Sequence, residues 1–162
     1  MDSIKQINNL NRTDFINYFG NIFEKSKWVA EVAFKNIPFE NIEDLKSKFI
    51  SIFEEASSEK KIQVLNLHPE LVVEKNLTEE SSKEQHGADL KKCTIDEFYE
   101  FKNLNTKYKK KFGFPFVIAV SGKKKLEILE RFKERIQNSK NDELNEAIEQ
   151  VKEIARIRLN QT

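Results

Sequence analysis

A histidine and a serine, glutamate and glutamine cluster stand close together near the middle of this chain. His68-Pro69-Glu70-Leu71 precedes Ser81-Ser82-Lys83-Glu84-Gln85 by a short loop, so a titratable base and a compact polar group can meet one small ligand. Thr78 is a suitable N-cap for a helix beginning at Glu79, because its hydroxyl can accept from an otherwise unpaired first-turn amide. With about 3.6 residues per turn, Ser81, Glu84 and Gln85 then fall at i, i+3 and i+4 and share a face. A helix that ends at His68, because Pro69 cannot continue the hydrogen-bond ladder, presents the imidazole at a helix terminus. Imidazole there suits general acid–base work. Arg158 is a further candidate. It continues the apolar stripe set by Val151, Ile154 and Ala155, whereas Arg156 points elsewhere. A guanidinium on a core-facing stripe needs a paired anion, and both Glu84 and an anionic ligand are open as that partner.

The elements that must position these groups are helical. Thirteen Phe with only four Gly and three Pro describe an apolar core joined by short connections. Thr13, Ser26 and Ser58 are candidate N-caps, and Ile42, Leu45, Phe49, Ile52 and Phe53 recur at three- and four-residue intervals. Thr94-Ile95-Asp96-Glu97 reads as a capping box opening a long helix that carries Phe98, Phe101, Leu104, Asn105, Tyr108 and Phe112 and stops at Gly113. Two more helices carry Leu126, Leu129, Phe132 and Ile136, then Leu144 to Arg158. The expectation is an all-α, single-domain bundle over residues 1–162, with roughly seven to nine helices and one extended segment near Phe114–Val120. That segment has the composition of a buried strand without a partner, so its amides need other partners and a ligand can be one of them.

Composition narrows the function. The chain has 162 residues, with 28 Lys and Arg against 27 Asp and Glu, so its net charge is +1. No global field selects a polyanion or an anionic membrane, and Lys109-Lys110-Lys111 and Lys123-Lys124-Lys125 read as solvated faces. Cys93 is the only cysteine and the two histidines have unrelated spacing, which excludes an intrachain disulfide and leaves no visible metal-ligand set. The N-terminus lacks the basic start and apolar centre of a secretory signal, and the longest apolar run is far too short to span a bilayer. A cytoplasmic protein without nucleic-acid or membrane partners is expected.

Phe23-Glu24-Lys25-Ser26-Lys27-Trp28-Val29-Ala30, His68-Pro69-Glu70-Leu71, Ser81-x-x-Glu84-Gln85, Leu104-Asn105-x-x-Tyr108, Phe112-Gly113-Phe114-Pro115-Phe116-Val117 and Ile157-Arg158-Leu159, in that order, resemble the 2-oxo-4-hydroxy-4-carboxy-5-ureidoimidazoline (OHCU) decarboxylase family. The resemblance spans nearly the whole chain. It implies an all-helical, often dimeric enzyme that releases carbon dioxide from the last unstable intermediate of urate oxidation and yields (S)-allantoin without a cofactor. It further implies His68 and Glu84 as catalytic residues, and Pro69, Ser81, Glu84, Gln85, Ile118 through its backbone, and Arg158 as substrate-binding residues, with no metal. Ser81 is preferred to Ser82 for its spacing to Glu84. The alternative is a non-catalytic helical interaction module derived from the same family, which would have no reason to keep His68, Glu84, Gln85 and Arg158 together.

Overall fold

The computed structural model describes residues 3–72, 79–88, 90 and 92–162, and among them every regular element is a helix. In chain order these are α1 (Ile4–Asn8), α2 (Arg12–Phe19), α3 (Trp28–Phe34), α4 (Ile42–Glu54), α5 (Ser58–Leu67), α6 (Glu79–Gly87), α7 (Ile95–Phe112), α8 (Lys125–Arg135) and α9 (Lys140–Asn160). The chain divides into two compact units, Met1–Leu67 with Lys152–Thr162, and His68–Val151. None of the helices is long and apolar enough to cross a membrane. The N-cap expected at Thr78 lies outside the described residues.

In the first unit the core is aromatic. Phe15 packs on Phe19 at 4.8 Å and Phe34 at 5.5 Å between ring centroids, and Phe23 stacks on Phe53 at 4.9 Å. Three caps differ from expectation by one or two residues. Asn11, not Thr13, caps α2 by accepting from the Asp14 amide at 2.8 Å, as the stronger capping side chain available two residues earlier. Ser57 rather than Ser58 takes the Lys60 amide at 3.2 Å. Ser26 caps nothing with its side chain; its hydroxyl donates to the Glu24 carbonyl at 2.8 Å and so tightens the loop before α3.

The second unit is ordered by α7. Thr94 and Glu97 form the expected capping box, and Gly113 ends the helix in the left-handed conformation at φ +82, where a Cβ would be strained. The residues that follow, Phe114 to Val120, are all buried and belong to neither helix nor strand. This is the extended segment that the composition predicted. In α8 the buried stripe is Ile128, Leu129, Phe132 and Arg135, while Leu126, expected on the apolar stripe, is 66 % exposed in the first turn.

One polar cluster ties these pieces together. Glu143, in the first turn of α9, accepts from the Tyr108 hydroxyl of α7, from Arg135 Nη2 of α8 at 2.6 Å and from Asn138 Nδ2 at 3.1 Å. Arg135 Nη1 donates to the Val117 carbonyl at 2.7 Å, and the guanidinium lies 4.4 Å over the Phe116 ring. Burial first, and then the bond to the Glu143 carboxylate, pushes the Tyr108 phenol up, so it stays a donor. Removing the cation strands a buried carboxylate, so Arg135→Met is expected to cost about 3–5 kcal/mol, against roughly 1 kcal/mol for Tyr108→Phe. Urea denaturation of both variants checks the order, and equal losses would count against the ion pair as the anchor.

Candidate active site

Within the second unit, His68 is the first residue beyond α5 and only 8 % exposed, followed by half-buried Pro69 and Glu70 and by buried Leu71. Pro69 ends the ladder, and the helix closes at Leu67, one residue before the expected end at His68. On α6, Ser81 and Gln85 are 4 % and 5 % exposed, Ser82 and Glu84 are half-buried, and Lys83 and His86 face outward. The helix therefore turns its Ser81 and Gln85 side inward, and burial separates Ser81 from Ser82.

The segment after His68 meets α6 and α7 at a single peptide group. The Val72 N–H donates to Gln85 Oε1 at 3.2 Å, and the Leu71 carbonyl of the same peptide accepts from Asn105 Nδ2 at 3.0 Å. Val72 takes φ +73, a left-handed conformation that costs a β-branched residue about 1–3 kcal/mol unless its surroundings enforce it. Gln85 thus shapes the turn after the histidine. With Oε1 engaged there, donation from Nε2 is its main remaining capacity toward a ligand, which suits an oxygen rather than the N–H groups that a free amide could also accept from.

Ile118 lies in the buried extended segment. On its two sides the Val117 carbonyl accepts from Arg135, the Ala119 N–H donates to Gln150 Oε1 at 2.9 Å and the Ala119 carbonyl accepts from Lys123 Nζ at 2.8 Å. Its own N–H and carbonyl make no hydrogen bond among the described residues. Cys93 offers no competing nucleophile. Burial pushes its thiol up, and Sγ donates to the Leu90 carbonyl at 3.2 Å. Among the described residues no three His, Cys, Asp or Glu side chains gather to hold a metal ion.

In the first unit Arg158 is buried, as its place on the apolar stripe requires, and Arg156 is exposed beside Glu153 at 3.5 Å. The Arg158 fork donates through Nη1 to the Asn21 carbonyl at 2.7 Å and through Nη2 to Glu24 Oε2 at 3.0 Å. Glu24 is a partner that spacing did not reveal. It sits on the loop leaving α2 at Gly20, where a Cβ would come within 2.5 Å of the Ile16 carbonyl oxygen. The only hint in the sequence was a carboxylate within the Phe23–Ala30 motif.

The OHCU decarboxylase family model matches residues 8–160. The chain belongs to the OHCU decarboxylase family. It is 36 % identical to the 2-oxo-4-hydroxy-4-carboxy-5-ureidoimidazoline decarboxylase of Haloferax volcanii, over 97 % of this chain and 94 % of that protein. It is 42 % identical over 98 % of its length to a uric acid degradation bifunctional protein of a Bacillus species (strain TB-90), of which it spans 32 %. Among solved structures, that of (S)-allantoin synthase superposes with a TM-score of 0.81 at 28 % identity, over 98 % of this chain and 53 % of that one.

Arg158 supplies a direct test of the geometry. A lysine ammonium cannot serve the Asn21 carbonyl and the Glu24 carboxylate in the planar arrangement of the guanidinium. Arg158→Lys is expected to cost about 1–3 kcal/mol of stability, whereas Arg156→Lys should stay within about 0.5 kcal/mol. Thermal denaturation decides it, and indistinguishable shifts would show that the fork geometry is immaterial.

Proposed function

We propose that this chain decarboxylates OHCU to (S)-allantoin and carbon dioxide, the last step of urate oxidation to allantoin. The observation that carries the reading is the family match from 8 to 160, supported by a buried His68 whose turn is joined to the polar face of α6. The same unbroken match supports one family domain over residues 1–162. We assign His68 and Glu84 as catalytic, and Pro69, Ser81, Glu84, Gln85, the Ile118 backbone and Arg158 to the substrate, Arg158 on the resemblance. A homodimer in the cytoplasm completes the reading. The relatives are named as decarboxylases, and nothing favours the non-catalytic module.

The chemistry asks little of a protein beyond orientation and charge. The carboxylate leaves as carbon dioxide, and its bonding pair passes through the ring carbon toward the neighbouring imine nitrogen, which takes a proton. The hydroxyl on the same carbon loses its proton as it becomes the ring carbonyl. The ureido-bearing carbon gains a proton that sets its configuration. The substrate thus provides its own electron sink, and no cofactor is required. His68, at the hydroxyl, serves as general acid or base, a role typically contributing on the order of a hundredfold to ten-thousandfold. The Ile118 N–H and Gln85 Nε2 donate to oxygens that gain charge, each such donor being worth roughly a hundredfold to a thousandfold. Glu84 orients N–H groups and disfavours the bound carboxylate by repulsion.

The test generates the intermediate from urate with the two upstream enzyme activities and follows optically active allantoin. Wild-type protein should accelerate its appearance. His68→Asn, similar in polarity and size, should fold normally and lose activity on the order of a hundredfold. Retention of more than about a tenth of turnover would exclude His68 as the acid–base group.

A further inference from the structure

We propose that Asn105 is a positioning residue for His68, acting through the peptide group between Leu71 and Val72. The inference rests on the decarboxylase reading above and adds a residue that reading does not contain.

Asn105 Nδ2 holds the Leu71 carbonyl and Gln85 Oε1 holds the Val72 N–H, so one peptide plane is gripped at both ends by side-chain amides from α7 and α6. The orientation of the Asn105 amide follows from chemistry, since a carbonyl can only accept and the NH₂ group must face it. Fixing that plane determines ψ of Leu71 and φ of Val72. The latter is +73, a value that an unconstrained valine avoids in favour of extended backbone. Without the clamp, Val72 relaxes and the chain leaves His68-Pro69 in a different direction.

A second observation separates this role from ordinary packing. Asn105 is buried, yet its Oδ1 has no hydrogen-bond partner among the described residues. A position valued for stability alone would favour an apolar residue over an amide with an unmet acceptor. The side chain is retained for its donor half. Its aim is also fixed, because Tyr108 lies three residues further along the same face and is anchored to Glu143.

The experiment measures kcat and KM for wild type, Asn105→Ala and Asn105→Ala with Val72→Gly, each as the full chain supplied with OHCU made in situ from urate. Misplacing a catalytic group by about 1 Å can cost on the order of a hundredfold. Asn105→Ala should therefore lower kcat about tenfold or more and change KM less than about threefold. Glycine adopts positive φ freely, so adding Val72→Gly should restore a substantial part of the lost kcat, a rescue that a purely structural defect would not show. If Asn105→Ala does not fold, Asn105→Asp, nearly equal in volume, is judged by the same criteria. A kcat within about twofold of wild type, or no rescue by Val72→Gly, overturns the clamp. An inert wild type overturns the decarboxylase reading and the clamp together, whereas an active wild type with an indifferent Asn105 variant overturns the clamp alone.

Discussion

A carboxylate with no exposure to water governs the second unit. Glu143 can remain charged there only if its oxygens are met by donors, and they are, by Tyr108, Arg135 and Asn138. Its position in the first turn of α9 adds the favourable field of the helix N-terminus. Because the donors come from different elements, meeting this one demand sets α7, α8 and the start of α9 against one another. Alternative packings of the same apolar faces would leave a buried charge unpaired, a penalty that hydrophobic burial alone does not impose.

The candidate site inherits that constraint through two short connections. Arg135 uses its third nitrogen, Nη1, on the Val117 carbonyl, one residue from Ile118, so the guanidinium that neutralises Glu143 also places the extended segment. Tyr108 lies one turn from Asn105, so its bond to Glu143 fixes the rotation at which α7 offers an amide to the turn after His68. A buried anion thereby bears on the placement of the turn after His68 and of the segment around Ile118, although among the described residues it bonds directly to neither.

How much of this was legible depended on the range of each signal. The capping box at Thr94 and Glu97 and the stop at Gly113 are complete within four residues and need no tertiary context. Caps with competitors inside one turn drifted, as Asn11 and Ser57 displaced Thr13 and Ser58. Periodicity placed Arg158 on a buried stripe but could not name Glu24, 134 positions away. Glu143 was invisible for a different reason. An acidic residue in a first helical turn is what any solvated helix also shows, so nothing local marked it as a core residue. Asn105 was visible on its stripe, whereas its hydrogen-bond partner, the Leu71 carbonyl, lies 34 residues earlier.

The distribution of polar groups follows from the all-helical architecture. Helix interiors consume their own N–H and carbonyl groups, so a ligand can meet backbone only where helices are interrupted. In the second unit the interruptions that matter are the turn after α5 and the buried run from Phe114 to Val120, and these are the segments that carry Pro69 and Ile118. Every other polar group within the helices must be a side chain on an otherwise apolar helix face, and the buried Ser81, Gln85 and Asn105 are of that kind. Each polar side chain on such a face weakens the core unless it is bonded, and most of them are engaged in holding backbone rather than one another. An all-helical fold that exposes backbone polar groups to a pocket can therefore do so only in the few places where its regular structure fails, and it stabilises those places with amides and ion pairs that an apolar core would otherwise exclude.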